Sequence, residues 1–167
     1  MLSDQVSQKP VPEWAATFPV PQSNPPTIDP EELAELIRTK QGGKDFLVVD
    51  VRRTDFEVTN HHILILNEAV TARSYQTAFI RTAINLPAHS FYQTLPSLLP
   101  LLQSIPIVIF HCNSCSPGGR GPRTAAWYQD ALDTQGIKSS HAVILASGVK
   151  GWIARYEEDT NLTVKLT

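Results

Sequence analysis

The chain holds two cysteines, Cys112 and Cys115, and both fall in the stretch His111-Cys112-Asn113-Ser114-Cys115-Ser116-Pro117-Gly118-Gly119-Arg120. Directly before it, Ile107-Val108-Ile109-Phe110 is an apolar run of strand length, and directly after it Gly121-Pro122 reads as the opening of a helix, with proline in the first turn. A loop between a strand and a helix turns backbone N–H groups inward, and the helix dipole adds partial positive charge. Such a cradle favours a thiolate or a tetrahedral oxyanion. Cys112, which leaves the strand directly, is the expected nucleophile, with a lowered pKa. Arg120 is expected to clamp an oxyanion with its planar fork, which lysine does not match. Asn113, Ser114, Ser116, Gly118, Gly119 and Gly121 complete the expected anion-binding loop, Gly118 and Gly119 permitting a tight curl. Cys115 stands at a spacing that allows disulfide or persulfide exchange with Cys112 and is expected as a resolving thiol, the alternative being an incidental loop residue.

Other uses of the two thiols are less well supported. Zinc needs more ligands than one C-x-x-C supplies, and no second ligand pair at a fixed spacing accompanies it, so no metal site and no cofactor are expected. His61-His62 are not read as ligands. Two cysteines are too few for a secreted disulfide scaffold. The 14 basic and 16 acidic residues are mixed along the chain, giving a net charge of −2 without a basic stripe, so neither nucleic acid nor a membrane surface is an expected partner. No stretch approaches the ~20 apolar residues of a membrane span, and the expectation is a soluble cytoplasmic protein, with the nucleus as a second compartment. At 167 residues and 42% hydrophobic content, one ordinary domain with its own core is expected.

The elements that must position the loop follow from periodicity and punctuation. Residues 1–26 form a proline-rich arm, with Pro10, Pro12, Pro19, Pro21, Pro25 and Pro26 excluding regular helix, and Trp14 and Phe18 its expected anchors on the domain that follows, residues 27–167. Thr27 to Asp29 reads as a short edge segment. Asp29, Pro30 and Glu32 then start a helix that Gly42-Gly43 stop after about Lys40. Phe46 to Asp50 reads as a buried parallel strand, with further strands at Ile84 to Leu86, Ile107 to Phe110 and Ala142 to Leu145. Helices are expected at Ser90 to Ser104, Pro122 to Gln135 and Val149 to Glu157. Strands alternating with helices predict an α/β fold with a mainly parallel sheet and ligands at the strands' carboxyl ends.

Four runs taken together carry a family resemblance: Val49-Asp50-Val51-Arg52-Arg53, Ala83-Ile84-Asn85-Leu86-Pro87, the loop His111 to Arg123, and Gly148-Val149-Lys150-Gly151-Trp152. In that order they resemble the rhodanese superfamily over about Thr27 to Tyr156. His111-Cys112 followed by Arg120-Gly121-Pro122-Arg123 is similar to the branch of the cell-cycle dual-specificity phosphatases and eukaryotic arsenate reductases. The resemblance implies a rhodanese-like five-stranded sheet flanked by helices on both faces, with the loop cysteine as nucleophile. Two departures accompany it. Seven residues separate Cys112 from Arg120 where the phosphatase loop has five, whereas four separate Cys115 from Arg120, the length of an ordinary rhodanese loop, a count that competes with Cys112 and leaves Cys115 open as the primary nucleophile. In addition, Val58 to Phe79 is an insertion relative to the family, read either as an added lid or strand or as retained intron sequence.

Several further residues are expected to support the site. The resemblance implies that Asp50 and Arg52 chiefly hold neighbouring loops; His111 is expected behind Cys112 on the opposite side of the strand end, and Arg123 one helical turn after Arg120. Trp127 and Tyr128 are read as core and surface of their helix, and Trp152 as packing the last helix onto the sheet. The leading functional expectation is sulfur transfer through a Cys112 persulfide. Arsenate reduction with Cys115 or glutathione, or phosphatase-like chemistry, comes next, and a non-catalytic carrier module third. The expected partners are a small-molecule sulfur donor or oxyanion and a thiol reductant such as glutathione or thioredoxin.

Overall fold

The computed structural model describes residues 10–53 and 78–165. Residues 58–77 of the expected insertion, His61 and His62 among them, lie outside the described residues. In chain order the strands are β1 (Thr27–Ile28), β2 (Phe46–Asp50), β3 (Ala78–Ile80), β4 (Ala83–Asn85), β5 (Ile107–His111), β6 (His141–Leu145) and β7 (Thr163–Lys165); the helices are α1 (Pro30–Thr39), α2 (Ala88–Leu102), α3 (Arg120–Thr134) and α4 (Gly148–Tyr156). Five strands form one sheet in the order β1-β6-β5-β2-β4, and every neighbouring pair in it is parallel.

Side chains alternate cleanly across this sheet, as the two-residue period of a strand requires. Leu47, Val49, Val108 and Phe110 face α2 and α3, where Phe91, Leu95, Leu99 and Trp127 meet them. Phe46, Val48, Ile109, Val143 and Leu145 face α1 and α4, against Leu33, Val149 and Trp152. Both faces are covered, which is why β2 is apolar from Phe46 to Val49 and all five of its residues, the terminal Asp50 included, are buried. Tyr128, read from sequence as a surface residue, is fully buried: its ring packs on Phe110 and its hydroxyl shares a 2.8 Å hydrogen bond with Ser140. The hydroxyl finds a partner inside, so the ring can be buried without an unsatisfied polar tip.

Local chemistry accounts for the helix boundaries. At the start of α1 a capping box is closed, the Asp29 N–H donating to Glu32 Oε2 at 3.0 Å. α2 carries Pro96 and Pro100 in its interior, both on its exposed face. The carbonyls they orphan, those of Tyr92 and Pro96, therefore belong to the side where water can satisfy them. α3 begins at Arg120, two residues before the expected opening, with Gly119 as N-cap. Pro122 still sits in the first turn, where no intrahelical N–H is needed.

Two features were not anticipated. β3 and β7 form a separate antiparallel pair, Ala78 opposite Lys165 and Ile80 opposite Thr163, and Ala78 and Phe79 thus belong to a strand. The arm, expected to lack helix, takes one 3-10 turn at Glu13–Ala15. Ala15 is completely buried in the α2–α3 layer, and Trp14 and Phe18 both lie edge-on against Trp127. Farther on, Asp130 accepts from the Gln22 and Ser23 N–H groups, each at 2.8 Å, and from the Ser23 hydroxyl at 2.5 Å. From Trp14 to Ser23 the arm is fastened to the domain before the chain enters β1.

Candidate active site

β2 and β5 lie side by side at the middle of the sheet, and their last residues, Asp50 and His111, are register partners. Cys112 is therefore the first residue beyond the carboxyl end of a central strand, where open α/β sheets bind ligands. Residues 113–119 then carry the chain over the sheet edge to the N-terminus of α3. Cys112 is 4% exposed and opens onto a cleft of about 690 Å³ that also touches Asn113, Ser114, Ser116, Gly118, Gly119 and Arg120.

The two thiols meet. Cys112 Sγ and Cys115 Sγ are 3.8 Å apart, and the Cys112 N–H donates to Cys115 Sγ at 3.3 Å. Cys115 reaches this position by adopting left-handed backbone, φ 52°. For a non-glycine residue that conformation costs on the order of 1–2 kcal/mol, and here it turns the side chain back toward Cys112. The pair divides one proton unequally. A hydrogen bond from the Cys115 thiol lowers the Cys112 pKa to about 5; burial opposes this, while the Gly121 and Cys115 N–H groups and the Arg120 charge reinforce it. Cys115 is pushed the other way, by its hydrogen bond to Cys112, by burial and by the Cys112 charge. Near neutral pH Cys112 is the thiolate and Cys115 its protonated neighbour.

Glycine is required where other backbone closes on the thiols. A Cβ on Gly121 would stand 2.9 Å from Cys115 Sγ and 3.4 Å from Cys112 Sγ. Gly148, at φ +56°, allows α4 to rest on the loop: its Cβ would meet the Asn113 carbonyl oxygen at 2.5 Å. There the N–H groups of Val149 and Lys150 each donate, at 3.0 Å, to the Cys112 and Asn113 carbonyls. The curl attributed to Gly118 and Gly119 belongs to Gly118 alone in dihedral terms, at φ +76°; Gly119 is extended and is needed because a Cβ would come within 2.8 Å of the Ser116 carbonyl oxygen.

Asp50 and Arg52 lie behind the loop and do not line the cleft. They are 1% and 4% exposed and form a paired, multiply hydrogen-bonded unit, Arg52 Nη2 to Asp50 Oδ2 at 2.6 Å, with Arg52 also donating to the Ala78 carbonyl. Burial raises the Asp50 pKa, but His111 and Arg52 together outweigh it and leave the carboxyl below its usual range. His111 is fully buried and its Nδ1 is 3.2 Å from the Cys112 carbonyl oxygen. Arg123 is half-buried and does not line the cleft. Ser114 and Ser116 bond to each other, 3.0 Å between hydroxyls, at the exposed rim.

Sequence reasoning missed the rest of the cleft. His89 from α2, Lys150 from α4, Pro117, and Pro10, Pro12 and Trp14 from the arm also line it. Only Trp14 carried a signal, as a large aromatic in a proline-rich segment. Among the described residues at its wall, Arg120 and Lys150 are basic and none is acidic. Those residues form no cluster of three or more groups able to hold a metal. The arrangement supplies a thiolate nucleophile, N–H donors and cations for an anion, and a second thiol within reach.

No family model matches the sequence, and no curated protein matches it. Solved structures do. Saccharomyces cerevisiae Ygr203w, described as a protein tyrosine phosphatase of the rhodanese family, superposes with a TM-score of 0.59 at 22% identity, covering 86% of this chain and 94% of that one. The As-Sb reductase of Leishmania major superposes with a TM-score of 0.59 at 21% identity, covering 86% and 88%. The chain thus has the rhodanese-like α/β fold of single-domain proteins of that family.

Proposed function

We propose that this protein is a dithiol enzyme that reduces a small tetrahedral oxyanion of the arsenate type. The observation that carries the reading is the 3.8 Å approach of Cys115 Sγ to Cys112 Sγ. The Cys112 thiolate attacks arsenic(V) and forms a sulfur–arsenic bond; a hydroxyl leaves as water with a proton from solvent. Once Cys112 is bonded it is no longer a thiolate that accepts the Cys115 proton, so the hydrogen bond and the charge that raise the Cys115 pKa are both relieved, although burial remains, and Cys115 can lose its proton. Cys115 then attacks Cys112 Sγ, the sulfur–arsenic bond breaks with its electron pair left on arsenic, and arsenite and a Cys112–Cys115 disulfide result. In sum, two thiols and arsenate give a disulfide, arsenite and water. An external thiol such as glutathione or thioredoxin resets the pair.

Sulfur transfer would begin at the same thiolate, but its intermediate fits this loop less well. A Cys112 persulfide would present Cys112 Sγ to Cys115, whose attack expels hydrosulfide and closes the disulfide, so the sulfur is lost before it reaches an acceptor. Ester hydrolysis gains nothing from a second thiol. The fold shared with the reductase and phosphatase neighbours suits each of these reactions; the close thiol pair is what favours reduction.

A single-turnover experiment without added thiol tests the reading. The reduced parent protein is expected to convert a stoichiometric amount of arsenate to arsenite while losing two titratable thiols, and both Cys112→Ser and Cys115→Ser to convert none. Arsenite formation by Cys115→Ser equal to the parent, or sustained thiosulfate-to-cyanide sulfur transfer by a parent inert to arsenate, overturns it.

A further inference from the structure

The N-terminal arm faces the cleft as well as the core. Pro10, Pro12 and Trp14 line the same cleft as Cys112, Arg120 and Lys150. Trp14 lies 4.9 Å from the His89 ring on the cleft side and 6.0 Å, edge-on, from Trp127 behind it. Just beyond, Ala15 is fully buried, and the Trp127 indole N–H donates to the Pro19 carbonyl at 2.9 Å. The prolines at positions 10 and 12 limit the backbone on either side of exposed Val11, so the wall holds its shape at low entropic cost.

From this we infer that the arm is the size-determining wall of the active site, with Trp14 its principal residue, and that the chain selects small, free anions over side chains presented by another protein. The cleft volume, about 690 Å³, falls within the range of small-molecule sites. Two of its walls differ in character: Arg120 and Lys150 attract charge, whereas Pro10, Pro12 and Trp14 occupy the approach along which the flanking backbone of a protein substrate would have to lie. The inference deepens the reductase reading by naming the residues that exclude larger substrates, but it rests on the cleft geometry and is tested without turnover.

Alkylation of Cys112, read at that residue by peptide mass mapping, provides the test. Iodoacetate and a bulky fluorescein-linked iodoacetamide are compared on the reduced full-length protein, its Trp14→Ala variant and its Pro10→Gly/Pro12→Gly variant. The second variant removes no fully buried side chain and covers the case in which Trp14→Ala does not fold. In the parent the bulky reagent is expected to lag well behind iodoacetate. Loss of the wall should accelerate the bulky reagent about tenfold, as expected where a few ring contacts hold a segment closed, while iodoacetate changes little. A ratio of the two rates that is the same in parent and variants, or a parent that does not discriminate, overturns the inference, as does a rise of both rates together, which would report general loosening. Discrimination in a parent that fails to reduce arsenate sinks the reductase reading alone.

Discussion

At the scale of single residues the site is an unequal pair of thiols. Cys112 takes the negative charge because two N–H groups, a thiol and Arg120 converge on it; Cys115 keeps its proton because it faces that charge. The sign gives a pH prediction. A depressed pKa means the thiolate persists as the solution is acidified, so alkylation of Cys112 by neutral iodoacetamide should stay level from neutral pH downward and fall only through about 5. Replacing Cys115 by Ala removes the largest stabilising partner and should move the midpoint up toward the ordinary thiol range, near ~8.5. Stopped-flow alkylation across that range, or the ultraviolet absorbance of the thiolate, reads both midpoints. An unchanged midpoint in Cys115→Ala would mean that the backbone and Arg120 alone hold the charge.

At the scale of elements, two helix N-termini hold the loop from opposite directions. α3 aims its first turn at Cys112, and α4 receives the Cys112 and Asn113 carbonyls on its first N–H groups. This second contact exists because Gly148 has no side chain and accepts a left-handed φ. Gly148→Ala is expected to cost about 1–3 kcal/mol and to slow single-turnover reduction by displacing Asn113 and Cys112, as measured by thermal melting and by arsenite release. A variant with parental stability and rate would show that α4 merely neighbours the loop. The same scale explains α2, whose two interior prolines both lie on the exposed side, so a long helix can still cover the sheet with Phe91, Leu95, Leu99 and Leu102.

At the scale of the whole molecule, the described part of the arm lies outside the helix layer, over α2 and α3. Trp14, Ala15 and Phe18 bury apolar surface there, at about 1.5–3 kcal/mol for each large side chain. Deleting residues 1–26 is therefore expected to lower unfolding stability by about 3–6 kcal/mol and the urea midpoint with it, while the far-ultraviolet dichroism of the sheet and helices remains. The five-stranded sheet and both its helix layers are built after residue 26. Loss of all ordered structure on deletion would contradict that division. No helix among the described residues is long and apolar enough to cross a membrane.

Much of this is legible in the amino-acid sequence. Phe46 to Val49 and Ile107 to Phe110 are apolar over nearly the length of a strand because both faces of the sheet are covered, and that alone places Cys112 at a carboxyl edge. The loop of Cys112, Cys115, the glycines and Arg120 announces thiol and anion chemistry through residue type and spacing. Other features depend on residues distant in sequence. Ala78 to Ile80 and Thr163 to Lys165 are too short to signal a strand until they find each other, and Tyr128 is buried because Ser140 supplies its hydroxyl with a partner. His89, Lys150 and Trp14 join Cys112 only when three elements converge. The place of the cysteine loop between β5 and α3 is written in the chain, because a strand, a loop and a helix are local decisions. The hierarchy of the thiols and the walls of the cleft arise in the folded molecule, because hydrogen bonds to sulfur, burial and the closing of an arm across a sheet edge are set by three-dimensional proximity.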